Sequence, residues 1–266
     1  MWIIELACVL LLALATFLRS RVPNFREWLK DAPIIFAAAW LGETSSIRLY
    51  DFYAYSKDWH GFLDVTPVLI PIIWVFVVLS ARDVARALTP KHVVPLGFLI
   101  IWFDASLIEP ICTFAKLWSW HSPGPFDVPL IGTFGWACFG AAMLYFLENQ
   151  RRFAVFLAPM AMHVLLLGSW WMLFRWLATP YVELYVALTW IASLALAITL
   201  ARTSAGAVDR SLVLPRLAPA AFFFALLHAY SGPAILWLYA AAFAGPWLIA
   251  TRWTRRVRVP ETQPAR

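Results

Sequence analysis

The chain has 266 residues, of which 62% are hydrophobic and only 14% charged, with a mean hydropathy of +0.74. Soluble domains carry about 25% charged residues, so this composition excludes an ordinary globular enzyme and indicates a polytopic membrane protein. The formal charge of +6 does not point to nucleic acid, because the basic residues are scattered over short loops and the C-terminal tail, where membrane orientation accounts for them.

Long apolar runs without strand alternation predict an all-α bundle, since backbone groups in hydrocarbon must be satisfied within their own segment. At about 17 to 25 residues per crossing, spans are predicted at about 2–18, 32–48, 64–81, 93–115, 128–148, 153–172, 182–201, 213–230 and 233–251. That makes nine spans, or eight, in a single membrane domain over residues 1–252, with a basic cytoplasmic tail at 253–266. Met1-Trp2-Ile3-Ile4-Glu5 lacks a basic n-region and reads as the start of a retained span. Pro67 and Pro71 should kink or initiate the third helix, and Ser231-Gly232-Pro233 should split the last apolar stretch into a hairpin. Assigning the 21 Lys and Arg to alternate sides leaves Arg48, Lys57, Lys116 and Arg175 on one side and the other 17 opposite. This bias predicts an outside N-terminus and a cytoplasmic C-terminus in a bacterial inner membrane. Cys8, Cys112 and Cys138 fall in spans, form no Cys-x-x-Cys pair and read as packing residues. No internal repeat stands out.

Two carboxylates, Asp104 and Glu109, interrupt the fourth span, and a third, Glu43, lies in the second. A charge at membrane depth costs at least ~2.5 kcal/mol, so such residues face a protein interior or a watery cavity and mark function. At 1.5 Å per residue, Glu43 and Asp104 lie roughly 17 Å, and Glu109 about 24 Å, from the inner ends of their helices, which places all three in the outer half. The loop after Glu43 carries Asp51, Tyr53 and Tyr55; the segment after Glu109 carries Trp118, Trp120 and Trp136. A carboxyl in such aromatic company is expected to stay protonated near neutrality, as a general acid requires, and aromatic faces would stabilise a carbocation. The competing reading is that the aromatics form an interfacial belt and that each acid pairs with Arg48, Lys116 or a helix end. His60, His92, His121, His163 and His228 never fall three or four apart, so a metal site is not expected. His163 and His228 are expected to make interhelical hydrogen bonds. Phosphate cradles and a nucleophile elbow are likewise missing from the sequence.

These segments resemble the carotenoid-biosynthesis membrane proteins typified by bisanhydrobacterioruberin hydratase and the bacterial carotenoid 1,2-hydratases. Glu43, Tyr53-Ala54-Tyr55, Pro67, Pro71 and Trp74 match one part of that pattern. Asp104, Glu109-Pro110, Trp118-Ser119-Trp120, Val128-Pro129 and Gly135-Trp136 match a second. The resemblance spans roughly Trp40 to Tyr145 and departs at Thr66, where the family favours Val, and at Gly132-Thr133, where an Asn-Phe pair is expected. It implies a cofactor-free lyase that hydrates the terminal double bond of an acyclic carotenoid end group.

On this reading Asp104 and Glu109 are the candidate proton donors, Glu43 and Asp51 handle water or return the proton, and Tyr53, Tyr55, Trp74, Trp118, Trp120 and Trp136 line the end-group pocket. The expected partners are a lipophilic carotenoid, the bilayer and other enzymes of a pigment pathway, with no nucleic acid. A carotenoid cyclase would use the same protonation. A proton-coupled transporter would use the same acids but calls for inverted repeats, and a binding or assembly protein of the pathway is a fourth reading.

Overall fold

A computed structural model describes residues 1–149, 151–179, 181–202 and 210–252. The basic tail predicted at 253–266 lies outside the described residues. The helices are α1 (Trp2–Ser20), α2 (Phe25–Tyr50), α3 (Leu69–Leu88), α4 (Val93–Phe114), α5 (Leu130–Glu148), α6 (Ala158–Met172), α7 (Val182–Arg202), α8 (Arg210–Ala229), α9 (Ala234–Ala241) and α10 (Ala244–Arg252). Four short strands lie in the loops: β1 (Tyr53–Tyr55), β2 (Phe62–Leu63), β3 (Thr66–Pro67) and β4 (Trp118–Trp120). Among the described residues, 6 helical stretches have the length and hydropathy to cross a membrane, so the expectation of a helical membrane bundle holds at that level.

Three of the predicted spans need correction. The second runs from Phe25, not from residue 32, and passes through Pro33. Its added turns carry Glu27, Lys30 and Asp31: Glu27 pairs with Lys30 and Arg152, and Asp31 with Arg82 and Arg152. The third starts at Leu69, with Pro71 in the first turn where a missing N–H costs nothing, and runs on to Leu88. Arg82, Asp83 and Arg86 extend it because each finds a partner, respectively Asp31, Arg19 and Glu148. The last stretch, predicted as one span, breaks between α9 and α10. Pro246 cannot donate to the Ala242 carbonyl, and the Ser193 hydroxyl donates to it instead. Pro110 inside α4 is accommodated in the same way, with the Tyr239 hydroxyl donating to the Ser106 carbonyl at 2.7 Å.

The core runs through α2, α3, α4 and α5, with Ile35, Trp74, Leu79, Ile101, Ile111, Phe139 and Met143 buried. Close approach of α4 to α5 depends on Gly140, where an added Cβ would meet Ile101 at 2.3 Å.

Candidate active site

Helices α2 and α4 end in the same way. Asp51 and Lys116, with φ of 50° and 59°, turn the chain through the left-handed region and feed it into β1 and β4. These strands pair antiparallel in the register Tyr53↔Trp120, Ala54↔Ser119, Tyr55↔Trp118. Side chains alternate along a strand, so Ala54 and Ser119 point outward while four polar aromatics share the inner face. Ring centroids are 4.8 Å apart for Tyr53 and Trp120 and 5.9 Å for Tyr55 and Trp118.

Below the ribbon lie two buried glutamates, 5% exposed for Glu43 and 2% for Glu109. Glu43 accepts hydrogen bonds from the Tyr53 hydroxyl, from the Tyr55 hydroxyl at 2.6 Å and from Trp74 Nε1 at 2.6 Å. Glu109 Oε2 accepts from Trp118 Nε1 and Trp120 Nε1, both at 2.7 Å, and Trp136 lines the same chamber. All these donors are neutral. The candidate partners Arg48 and Lys116 are not engaged with these acids: Arg48 pairs with Asp64, and Lys116 serves as the turn after α4.

The two halves of the site repeat one another, which corrects the reading that the chain has no internal repeat. In each, a helix carries a glutamate, a left-handed residue ends the helix, an aromatic-x-aromatic strand follows, and then come an Asp-Val step, a proline and a tryptophan seven residues beyond that proline. Glu43, Asp51, Tyr53/Tyr55, Asp64-Val65, Pro67 and Trp74 correspond to Glu109, Lys116, Trp118/Trp120, Asp127-Val128, Pro129 and Trp136. Asp64 and Asp127 share positive φ values of 59° and 60°. The ribbon register is symmetric about Ala54 and Ser119, and the corresponding Trp74 and Trp136 meet with ring centroids 4.7 Å apart and planes tilted by 35°, so a pseudo-two-fold axis passes between the glutamates. Different loop lengths and the exchange of Tyr for Trp hide the repeat in the sequence. Because α2 and α4 both lead into the one ribbon, the units run parallel and are not inverted.

Both glutamates line a chamber of about 50 Å³, enough for one or two water molecules. Glu43 also lines a cavity of about 330 Å³ between α2, α5 and α6, walled by Trp74, Trp120, Trp136 and Phe139. Its outer rim is formed by Leu167, Trp170 and Trp171, exposed on α6. Gly132 makes room for this wall, since an added Cβ would come within 2.7 Å of the Trp120 ring. At the other departure from the family pattern, buried Thr66 meets the Thr44 hydroxyl at 3.0 Å.

Six aromatic residues and two of the four predicted acids are therefore brought together. Asp104 and Asp51 are not. Five residues on one helix turn through about 140°, so Asp104 faces away from Glu109, towards α8, where it pairs with buried Arg216 in a separate cavity of about 120 Å³. Asp51 is exposed at the ribbon's edge, its carbonyl accepting a hydrogen bond from His121 Nδ1 at 2.6 Å. His163 makes the expected interhelical bond, to Ser45 at 2.8 Å, whereas His228 is exposed near the end of α8. Phe222 and Phe223 of α8, which close the chamber, were not foreseen, and no sequence signal links them to it.

A family profile described as carotenoid biosynthesis protein matches residues 1–201. The chain belongs to the carotenoid biosynthesis protein family. Neither the curated proteins nor the solved structures give a match. Family membership implies a lipophilic carotenoid substrate, in keeping with the greasy aromatic cavity. The match takes in both glutamate units and ends at α7, so the chamber-closing residues of α8 lie beyond it.

Proposed function

We propose that this carotenoid biosynthesis protein is a cofactor-independent hydratase that adds water to the terminal double bond of an acyclic carotenoid end group. The observation that carries the reading is the pair of buried glutamates, bonded only to neutral donors, in a chamber beside an aromatic cavity. A carboxyl there protonates the less substituted alkene carbon: the C–H bond forms as the O–H bond breaks, and the π electrons leave a tertiary cation. Water bonds to the cationic carbon and loses a proton to a carboxylate, which restores the enzyme and gives a tertiary alcohol. The indole and phenol faces stabilise the cation by about 0.5–2 kcal/mol each. Asp104, already neutralised by Arg216, and Asp51, exposed at the surface, are left out of the chemistry.

The proposed setting is a bacterial inner membrane, with the N-terminus outside and the ribbon at the outer face. The basic belt of Arg19, Arg82, Arg86 and Arg152 then faces the cytoplasm, as the positive-inside bias requires.

Expression in a host that accumulates lycopene, followed by mass spectrometry of the pigments, tests the reading. A gain of one water per reacted end is expected. An isomer of unchanged mass would replace the hydratase by a cyclase, and unchanged pigment would remove both. In the same assay Glu43→Gln and Glu109→Gln should each lower hydrated product at least 100-fold, the range of a lost general acid or a lost electrostatic stabiliser, with normal amounts of protein in the membrane.

A further inference from the structure

The pseudo-two-fold repeat gives two glutamates equivalent positions but different partners. Tyr53 and Tyr55 present hydroxyls, which both donate and accept, whereas Trp118 and Trp120 present indole N–H groups, which only donate. A proton on Glu43 therefore has a hydroxyl oxygen to receive it, and a Tyr O–H can pass one back. Tyr53 lines both the chamber and the larger cavity and Tyr55 lines the chamber, so the phenols join Glu43 to the space that opens at the exposed α6 rim. Burial, with the Glu43 carboxyl next in weight, pushes both phenols well above the ordinary tyrosine value, and they remain O–H groups throughout the working pH range. On the other side Glu109 Oε2 receives two N–H donors that cannot accept a proton. Glu43 alone of the pair borders both the chamber and the larger cavity that would house the end group.

We propose that the duplicated half-sites have divided the work: Glu43 delivers the proton and is recharged through Tyr53 and Tyr55, while Glu109, fixed by Trp118 and Trp120, serves as a carboxylate facing the cation and exchanges no proton. The assignment rests on the protonation reading above. The balance is closed within one half: the proton leaves Glu43 for the alkene carbon, and the proton lost by the attacking water passes to a phenol oxygen as that phenol's own proton moves to Glu43. Tyr53 and Tyr55 are positioning and relay residues, and Glu109 ends the cycle as it began it.

Isotope trapping tests this. Enzyme equilibrated in H2O is mixed with lycopene and at once diluted into D2O, and the product of the first turnover is analysed for hydrogen or deuterium at the protonated carbon. Wild type, with rapid exchange through the phenols, should deliver mainly deuterium. A Tyr53→Phe/Tyr55→Phe variant should retain hydrogen in the first turnover and lose about tenfold or more in rate. Trp118→Phe/Trp120→Phe should slow turnover while leaving the isotope ratio at the wild-type value, which a merely structural part for either pair would not separate. Equal ratios in wild type and the tyrosine variant, or trapped hydrogen in the tryptophan variant, would overturn the division of roles. If wild type yields a cyclised isomer instead of an alcohol, the hydratase reading falls but the same ratio still tests proton entry through Glu43, because cyclisation starts with that protonation.

Discussion

Two acids five residues apart on α4 have separate fates because a helix turns them to different faces. Glu109 enters the chamber; Asp104 meets Arg216 from α8. Removing one member of a buried ion pair strands the other charge, at a cost of about 3–5 kcal/mol. Asp104→Asn should accordingly lower the amount of folded protein and its midpoint of thermal unfolding in detergent, while the folded fraction turns over at the wild-type rate. A 100-fold drop in turnover per folded molecule would return Asp104 to the chemistry. Gly132 illustrates the opposite case, a residue without polar chemistry that shapes the site. Gly132→Ala pushes a methyl against the Trp120 indole and should loosen its bond to Glu109, costing about 1–3 kcal/mol in overpacking together with most of the activity.

At the scale of elements, the ribbon is what turns two ordinary helix ends into a site, because its period of two puts Tyr53, Tyr55, Trp118 and Trp120 on one face. A single residue inserted after Ser119 would turn Trp120 outward and misalign the ladder. Loss of activity is expected with membrane insertion unchanged, and insertion of two residues should restore part of it. The aromatic-x-aromatic motifs and the glutamates were legible in the sequence because they are short and local. Their pairing was not: β1 and β4 are joined only through α3 and α4, and three-residue strands carry too little pattern to announce a ladder. Helix type was legible from hydropathy, but the first turns of α2 and the last turns of α3 were not, because charge normally ends a span. Here the charges neutralise one another across helices, and no local pattern encodes that.

At the scale of the whole molecule, the polar groups other than the Asp104–Arg216 pair gather at two ends with a greasy core between them. One end is the chamber. At the other, Arg19 pairs with Asp83, Arg82 with Asp31 and Glu148, Arg86 with Glu148, and Arg152 with Glu27 and Asp31, tying α1, α2, α3 and α5 to the turn before α6. Asp31 is the hub, with a side chain only 2% exposed and two guanidinium partners. Glu43 lies twelve residues further along α2, about 18 Å away at the helical rise, and the Asp31 charge is already balanced by its own guanidinium partners. Asp31→Asn leaves Arg82 and Arg152 competing for fewer carboxylates and should destabilise the bundle by about 3–5 kcal/mol, seen as a lower unfolding midpoint and a smaller yield. The turnover of the molecules that do fold should stay within about twofold of wild type, since independent sites more than ~10 Å apart add without coupling. An equal loss in stability and in turnover would mean that the ion-pair belt sets the geometry of the glutamate pair through α2, and the two ends would then have to be treated as one coupled machine.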